Sequence, residues 1–276
     1  MPRLTLFRVQ AYPLEPSGRI AETPSALLRK IVEAKPSFAV TEHTTWRIGN
    51  VEEIDNDWLY LRLGKTTSSK NEEYKDGNFV ELPSDASPST PTFVNIPLEL
   101  VCIAHKQLVA GRVQTSASRF QEMLNAAALA KKSNADFQVR VIRDPQDFIK
   151  ALRAAVNIKK FAFDVSPPNA IDESAFAKAA SEYVKKANGK SGKVEVKGDS
   201  LDPDALEPQA RTAISLGNEA SAAVSKKAGQ PPQPIYSKRD NLAEHSVAAK
   251  ELADPERRSA IAAALLALYQ KIRGDG

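Results

Sequence analysis

An α+β architecture is the fold class this sequence predicts, and three patterns predict it. The first third reads mostly as sheet, beginning with the apolar–polar alternation of Met1-Pro-Arg-Leu-Thr-Leu-Phe-Arg-Val9. From Phe137 to Lys197 strand, helix, strand, helix and strand patterns follow one another. The chain then closes on a helix pattern that starts at Asp254 and stops at Gly274. These patterns divide it into a strand-rich N-terminal domain, 1–115, a basic βαβαβ unit, 116–200, and a hairpin or loop plus closing helix, 201–276.

Each element has a local reason. Thr23 stands where an N-cap belongs and Pro24 at the first helical turn, and Leu27, Leu28 and Ile31 form an apolar face. Thr44 to Ile54 and Trp58 to Gly64 read as strands joined across the polar turn Asp55-Asn56-Asp57, with Trp46 and Trp58 as core. Thr66 to Asp76 has no periodicity and reads as loop, Phe79 to Leu82 as a short strand, and Ser84 to Pro91 as an irregular turn-rich insertion. Leu98 to Ala104 and Leu108 to Val113 suggest a hairpin across His105-Lys106-Gln107.

Ser116 to Lys131 predicts a helix capped by Ser116 or Ser118, with Phe120, Leu124, Ala127 and Ala128 on one side. Phe137 to Arg143 is a basic strand. After Asp144-Pro145 a helix carries Phe148, Leu152 and Val156, and the strand Ile158 to Val165 leads to the corner Ser166-Pro-Pro-Asn169. A helix capped by Asp172 or Ser174 buries Phe176, Ala180, Tyr183 and Val184, and Lys193 to Lys197 is the last strand of the unit. Beyond it the sequence suggests a short helix over Leu206 to Leu216, then a hairpin or mobile loop from Ala222 to Lys238. In the closing helix Ile261, Leu265, Leu268 and Ile272 share a face that must cover a core or meet another subunit.

Composition narrows the function classes. The chain has 276 residues, 42% hydrophobic and 26% charged, as in ordinary globular proteins. No apolar run approaches the roughly 18 residues of a membrane span. The N-terminus reads as a strand rather than a secretory signal. One cysteine, Cys102, excludes an internal disulfide and most zinc sites, which suits a reducing compartment such as the cytoplasm. It lies in an apolar strand pattern and reads as a small buried hydrophobe.

No phosphate-binding loop, dinucleotide fingerprint or nucleophile elbow occurs, and His43, His105 and His245 form no metal-ligand pair. Charge is uneven. From Lys131 to Lys193 there are 13 Lys and Arg against 7 Asp and Glu, a surplus of six in a chain whose total is +4. Such clustering points to a polyanionic partner. Lys131, Lys132, Arg140, Arg143, Lys150, Arg153, Lys159 and Lys160 are the expected phosphate contacts. Phe137, Phe148, Phe161 and Phe163 occupy apolar positions, so duplex backbone contact is favoured over base stacking, and DNA over RNA.

The catalytic alternative is a Mg²⁺-dependent nuclease of the PD-(D/E)xK kind. Asp164 ends one strand and Glu195-Val-Lys197 lies on another, supplying two carboxylates for metal and a lysine beside the attacking hydroxide. Otherwise neither catalytic residues nor a cofactor is expected. A third alternative is a protein-interaction module without a nucleic-acid role.

In its order of elements the chain resembles the RexA-type phage-exclusion proteins and, more loosely, the KwaB component of the Kiwa defence system. The likeness is carried by Val109-Ala-Gly-Arg-Val113, the helix with Arg119-Phe-Gln-Glu-Met-Leu124, the basic strand, Phe161-Ala-Phe-Asp-Val-Ser-Pro-Pro-Asn169, a late polar hairpin and a C-terminal helix. It is a likeness of layout covering most of the chain, and the Pro- and Gln-rich segment 198–235 departs from it. It implies a cytoplasmic, self-associating DNA-binding protein, a homodimer, that acts in antiviral defence with a second protein.

Overall fold

The structure, a computed structural model, describes residues 1–14, 20, 22–75, 78–166, 175–187, 189, 191–237 and 241–275. In chain order its elements begin β1 (Arg3–Pro13), α1 (Pro24–Glu33), β2 (Ser37–Thr41), β3 (Thr44–Glu53), β4 (Trp58–Lys75), β5 (Asn78–Ala86), β6 (Ser89–Asn95) and β7 (Leu100–Ala104). Next come α2 (Val113–Ala130), β8 (Ala135–Val141), α3 (Gln146–Arg153), β9 (Asn157–Val165), α4 (Ala175–Lys186) and β10 (Gly192–Lys197). The last are α5 (Pro203–Ser215), β11 (Ala220–Ser225), β12 (Gln233–Tyr236), β13 (Glu244–Ser246), α6 (Ala249–Ala253), a 3₁₀ turn (Pro255–Arg257) and α7 (Arg258–Arg273). Helices mixed with antiparallel sheets make this an α+β fold.

Among the described residues the strands form two antiparallel sheets. The larger has nine strands in the order β13-β1-β7-β6-β4-β3-β2, with β5 added to β4 and β8 added to β1. Its faces bury different cores. Phe7, Val9, Leu61, Val101 and Ile103 pack against Leu28 and Ile31 of α1 and Phe120, Met123 and Leu124 of α2. Leu6, Trp58, Tyr60, Phe93 and Cys102 pack against Ile261, Leu265, Tyr269 and Ile272 of α7. The closing helix therefore spends its apolar face on its own chain.

The expected start of α1 is present, with Thr23 accepting from the Ala26 amide. Asp254 caps the 3₁₀ turn that leads into α7, and Gly274 ends the helix at φ +89°. Within the second core lies a buried ionic contact. Arg8 Nη2 stands 3.5 Å from Glu99 Oε2, with both side chains at most 2% exposed. Arg8 Nη1 also donates to the Leu98 carbonyl at 2.6 Å and to the Tyr269 hydroxyl at 3.2 Å. These contacts tie β1, the turn before β7 and the closing helix together.

Several local expectations are corrected. Thr66 to Lys75 is not a loop but the outer part of β4, paired with β5 from Thr67↔Ala86 to Lys75↔Asn78. The segment 84–91 accordingly holds the end of β5 and the start of β6. Leu108 to Val113 makes no strand: the Val109 amide bonds to the Lys106 carbonyl in a turn, and α2 begins at Val113 with Arg112 in the cap position. In α3 the buried residues are Phe148, Ile149 and Leu152; Val156 lies beyond the helix and is 59% exposed. Tyr183 points outward at 74% exposed. Asp172, Ser174 and residues 167–169 of the corner fall outside the described residues, as does the Phe176 side chain.

The βαβαβ unit does not share one sheet. β8 pairs with β1, from Phe7↔Val141 to Pro13↔Ala135. β9 and β10 join β11 and β12 in a second sheet of four strands, ordered β10-β9-β11-β12. The late hairpin is therefore ordered sheet. α3, α4 and α5 pack on one face, where Phe148, Leu152, Val184, Leu206 and Ile214 meet Phe161, Phe163, Ala220, Ala222 and Val224.

Candidate functional site

Alternation along the second sheet decides what its other face presents, because successive side chains point to opposite sides. Phe161, Phe163 and Val165 of β9 enter the helix-covered core, so Lys160, Ala162 and Asp164 point the other way. The register Lys193↔Asp164, Glu195↔Ala162 and Lys197↔Lys160 adds three residues of β10 to that face. Ser221 and Ala223 of β11 join them opposite Ala162 and Lys160, and Tyr236 and Pro234 of β12 lie opposite Ser221 and Ala223. Small side chains thus form the floor, lysines stand along one side, and a tyrosine ring stands at the other edge. Lys160 is 40% exposed, Lys197 71% and Tyr236 64%, so the face is open along these side chains, while Ala162 at its centre is fully buried beneath them.

Glu195 sits between two of the lysines. Its Oε2 is 2.6 Å from Lys160 Nζ and its Oε1 is 3.0 Å from Lys197 Nζ. Hydrogen bonds from Lys160 first and Lys197 second lower its pKa to about 2. Asp164 moves the other way. Burial raises its pKa most, Glu219 raises it further, and Lys193 and Arg140 oppose the shift.

At the Asp164 end the open face runs into a polar pocket of about 420 Å³ at the seam between the sheets. Arg140, Asp164, Ser166, Lys193, Asn218 and Glu219 line it. Arg140 alternates with Val139 and Val141 as the sequence suggests, but the side it faces is this seam rather than open solvent. Its Nη1 donates to Ser166 Oγ at 2.7 Å and Asn218 Oδ1 at 2.9 Å, and its Nη2 donates to Gln138 Oε1 at 2.7 Å. Gly217 packs against it at φ +75°, where a Cβ would come within 2.7 Å of Arg140 Cβ.

A family model described as "Domain of unknown function (DUF4747)" matches residues 15–246. The chain belongs to the DUF4747 family. The matched segment runs from beyond β1 to the last residue of β13, and so holds every residue named on the open face and in the seam pocket. No curated protein matches the chain.

Within the DUF4747 segment the cations expected from sequence are not brought onto one surface. Lys131 and Lys132 are exposed in the turn after α2, on the side of the larger sheet. Arg140 belongs to the seam, and Arg143, 11% exposed, is paired with Glu219 at 3.2 Å. Lys150 and Arg153 lie on α3, on the helical layer. Lys150 is exposed, and Arg153 pairs with Glu207 at 2.7 Å and Asp204 at 3.8 Å. Lys159, at an irregularity in β9, pairs with Asp199 at 3.3 Å. Of the eight, Lys160 is on the open face.

Lys193, Ser221 and Tyr236 were not among the expected contacts. The alternation Lys193-Val-Glu-Val-Lys197 carries a signal for the first, while Tyr236 is legible only once Gln233–Tyr236 is known to be an edge strand. Phe137, Phe148, Phe161 and Phe163 are buried as expected, and the exposed ring on the open face, Tyr236, comes from outside the basic unit.

Asp164, Glu195 and Lys197 do share a face on adjacent strands, as the nuclease alternative requires. The donor set nevertheless fits Mg²⁺ poorly. Both oxygens of Glu195 already face ammonium groups, and among the described residues no three His, Cys, Asp or Glu side chains converge as a metal cluster. No helix among the described residues is long and apolar enough to cross a membrane.

Proposed function

We propose that this DUF4747 protein binds single-stranded nucleic acid, DNA in the first instance, across the open face of its second sheet. The observation that carries the reading is one sheet face holding Lys160, Lys193 and Lys197 beside the partly exposed small residues Ser221 and Ala223, with the buried Ala162 beneath and the exposed ring of Tyr236 at its edge. A pleated face with a small-residue floor lets a strand lie close, ammonium groups neutralise phosphates, and an exposed ring offers a base a stacking partner. Three ammonium groups stand against the carboxylates of Asp164 and Glu195, so the face is only mildly cationic and favours short contacts over long-range attraction. The exposed tyrosine favours single strands over the duplex.

The resemblance to phage-exclusion proteins supports a role for this binding in antiphage defence, in the cytoplasm, as a non-catalytic component acting with a second protein and as a homodimer. Fluorescence anisotropy with a labelled oligodeoxythymidylate at several salt concentrations tests the binding. In a Lys160→Glu/Lys193→Glu/Lys197→Glu variant that retains its fold, affinity falls and the logarithmic salt slope shrinks by about 2 or more. Unchanged affinity and slope in that variant would remove the proposal.

A further inference from the structure

We infer that the seam pocket takes one guanine base, turned out of a strand lying on the open face and held by its hydrogen-bonding edges. This rests on the binding face just proposed and names what that face selects. Asp164 and Lys193 belong to the open face and to the pocket wall, so a strand crossing the sheet passes the mouth of the pocket. With about 420 Å³ the pocket has room for a base and its sugar.

Charge excludes a phosphate as the preferred occupant. Arg140 and Lys193 are balanced by Asp164 and Glu219, leaving a lining without net charge that offers donors beside acceptors. A neutral ligand with both kinds of group matches such a lining. Guanine is the base that carries two acceptors, O6 and N7, beside the donors N1–H and N2–H₂. Arg140 and Lys193 supply donors for the first pair, and the carboxylates accept from the second.

The pocket is also rigid, which discrimination requires. Arg140 is fixed by Gln138, Ser166 and Asn218, and Asn218 Oδ1 also accepts from Ser166 Oγ at 3.1 Å. At the other end of the side chain Gly217 packs against Arg140, where a Cβ would come within 2.7 Å of Arg140 Cβ. On the opposite wall, a Cβ on Gly192 would stand 2.6 Å from Val184 Cγ2, so that backbone is held against α4.

Competition anisotropy tests this, using oligodeoxythymidylates of one length in which a single central dT is replaced by dG, dA or dC. The expected result is a preference of about five- to a hundredfold for the dG strand over the all-dT strand. In Asp164→Asn, and separately in Asn218→Ala, the dG-to-dT affinity ratio falls toward one. The ratio is read within each protein, so a general loss of affinity does not imitate the result. If all four strands bind wild-type protein equally while the triple lysine variant weakens them all, the guanine pocket is refuted and the binding face stands. If no strand binds wild-type protein, both are refuted.

Discussion

Lys160 Nζ lies 2.6 Å from Glu195 Oε2, joining an inner strand of the second sheet, β9, to the edge strand β10 across the open face. The contact holds one ammonium group in place but also gives it a built-in counter-ion. A polyanion docking there competes with Glu195 for Lys160 and for Lys197, which lies 3.0 Å from the other oxygen.

The first prediction follows from that competition. Glu195→Gln frees both lysines and strengthens binding of single-stranded DNA several-fold at low salt, measured by anisotropy. A metal-dependent nuclease using Glu195 would respond in the opposite way, losing Mg²⁺-dependent cleavage of a labelled strand. Weakened binding in Glu195→Gln would contradict the competition.

A second prediction concerns titration. Glu195 has a carboxyl pKa lowered from 4.5 to about 2, with Lys160 as the first cause. Because the folded pKa lies below the unfolded one, any stability the group contributes is in place above about pH 4.5 and is lost as pH falls toward 2. In Lys160→Met the carboxyl should titrate closer to 4.5, remaining somewhat below it because Lys197 stays. Carbon-detected NMR across pH 2 to 6, at about half-unit steps, reads this directly. An unmoved titration would mean Lys160 is not the cause.

The third prediction lies in the larger sheet. Arg8→Met leaves the Glu99 carboxylate buried without its guanidinium, and should cost about 3–5 kcal/mol in urea unfolding. Combining it with Glu99→Gln should cost less than the two single changes added, since the pair acts as a unit. Tyr269→Phe removes one bond to the same guanidinium and should cost less than Arg8→Met does. Strict additivity of the first two would contradict a coupled pair.

A fourth concerns the seam. Gly217→Ala must place a Cβ 2.7 Å from Arg140 Cβ at φ +75°, and should cost about 1–3 kcal/mol. Hydrogen exchange should show faster opening at Arg140, Ser166 and Asn218 than in the wild type. Wild-type melting and exchange in Gly217→Ala would show that the seam tolerates the displacement.

Much of the fold was legible because local chemistry marks it. Thr23-Pro24 starts a helix, Asp254-Pro255 starts another, and the alternation through Ile158 to Val165 and Lys193 to Lys197 reads as strand. What was not legible depends on pairing between distant segments. Thr66 to Lys75 has no apolar alternation, and its order comes from lying against Asn78–Ala86. Arg140 alternates as an exposed strand residue would, yet its partners Ser166 and Asn218 are 26 and 78 positions away. The surplus of charge is visible in the composition, but the acids that pair it lie far along the chain. Arg153 meets Glu207, and Lys159 meets Asp199 forty positions on. The open face was half visible, in the lysines of β10, and completed only when β12 brought Tyr236 beside β11.

Mapping amide chemical-shift changes as a short oligodeoxythymidylate is added to the isotope-labelled protein tests the binding face most directly. The largest changes are expected at Lys160, Ala162, Glu195, Lys197, Ser221 and Tyr236, with α3 and the turn carrying Lys131 and Lys132 left in place. Changes confined to that helix and turn, or none at saturating oligonucleotide, would contradict binding on the open face of the second sheet.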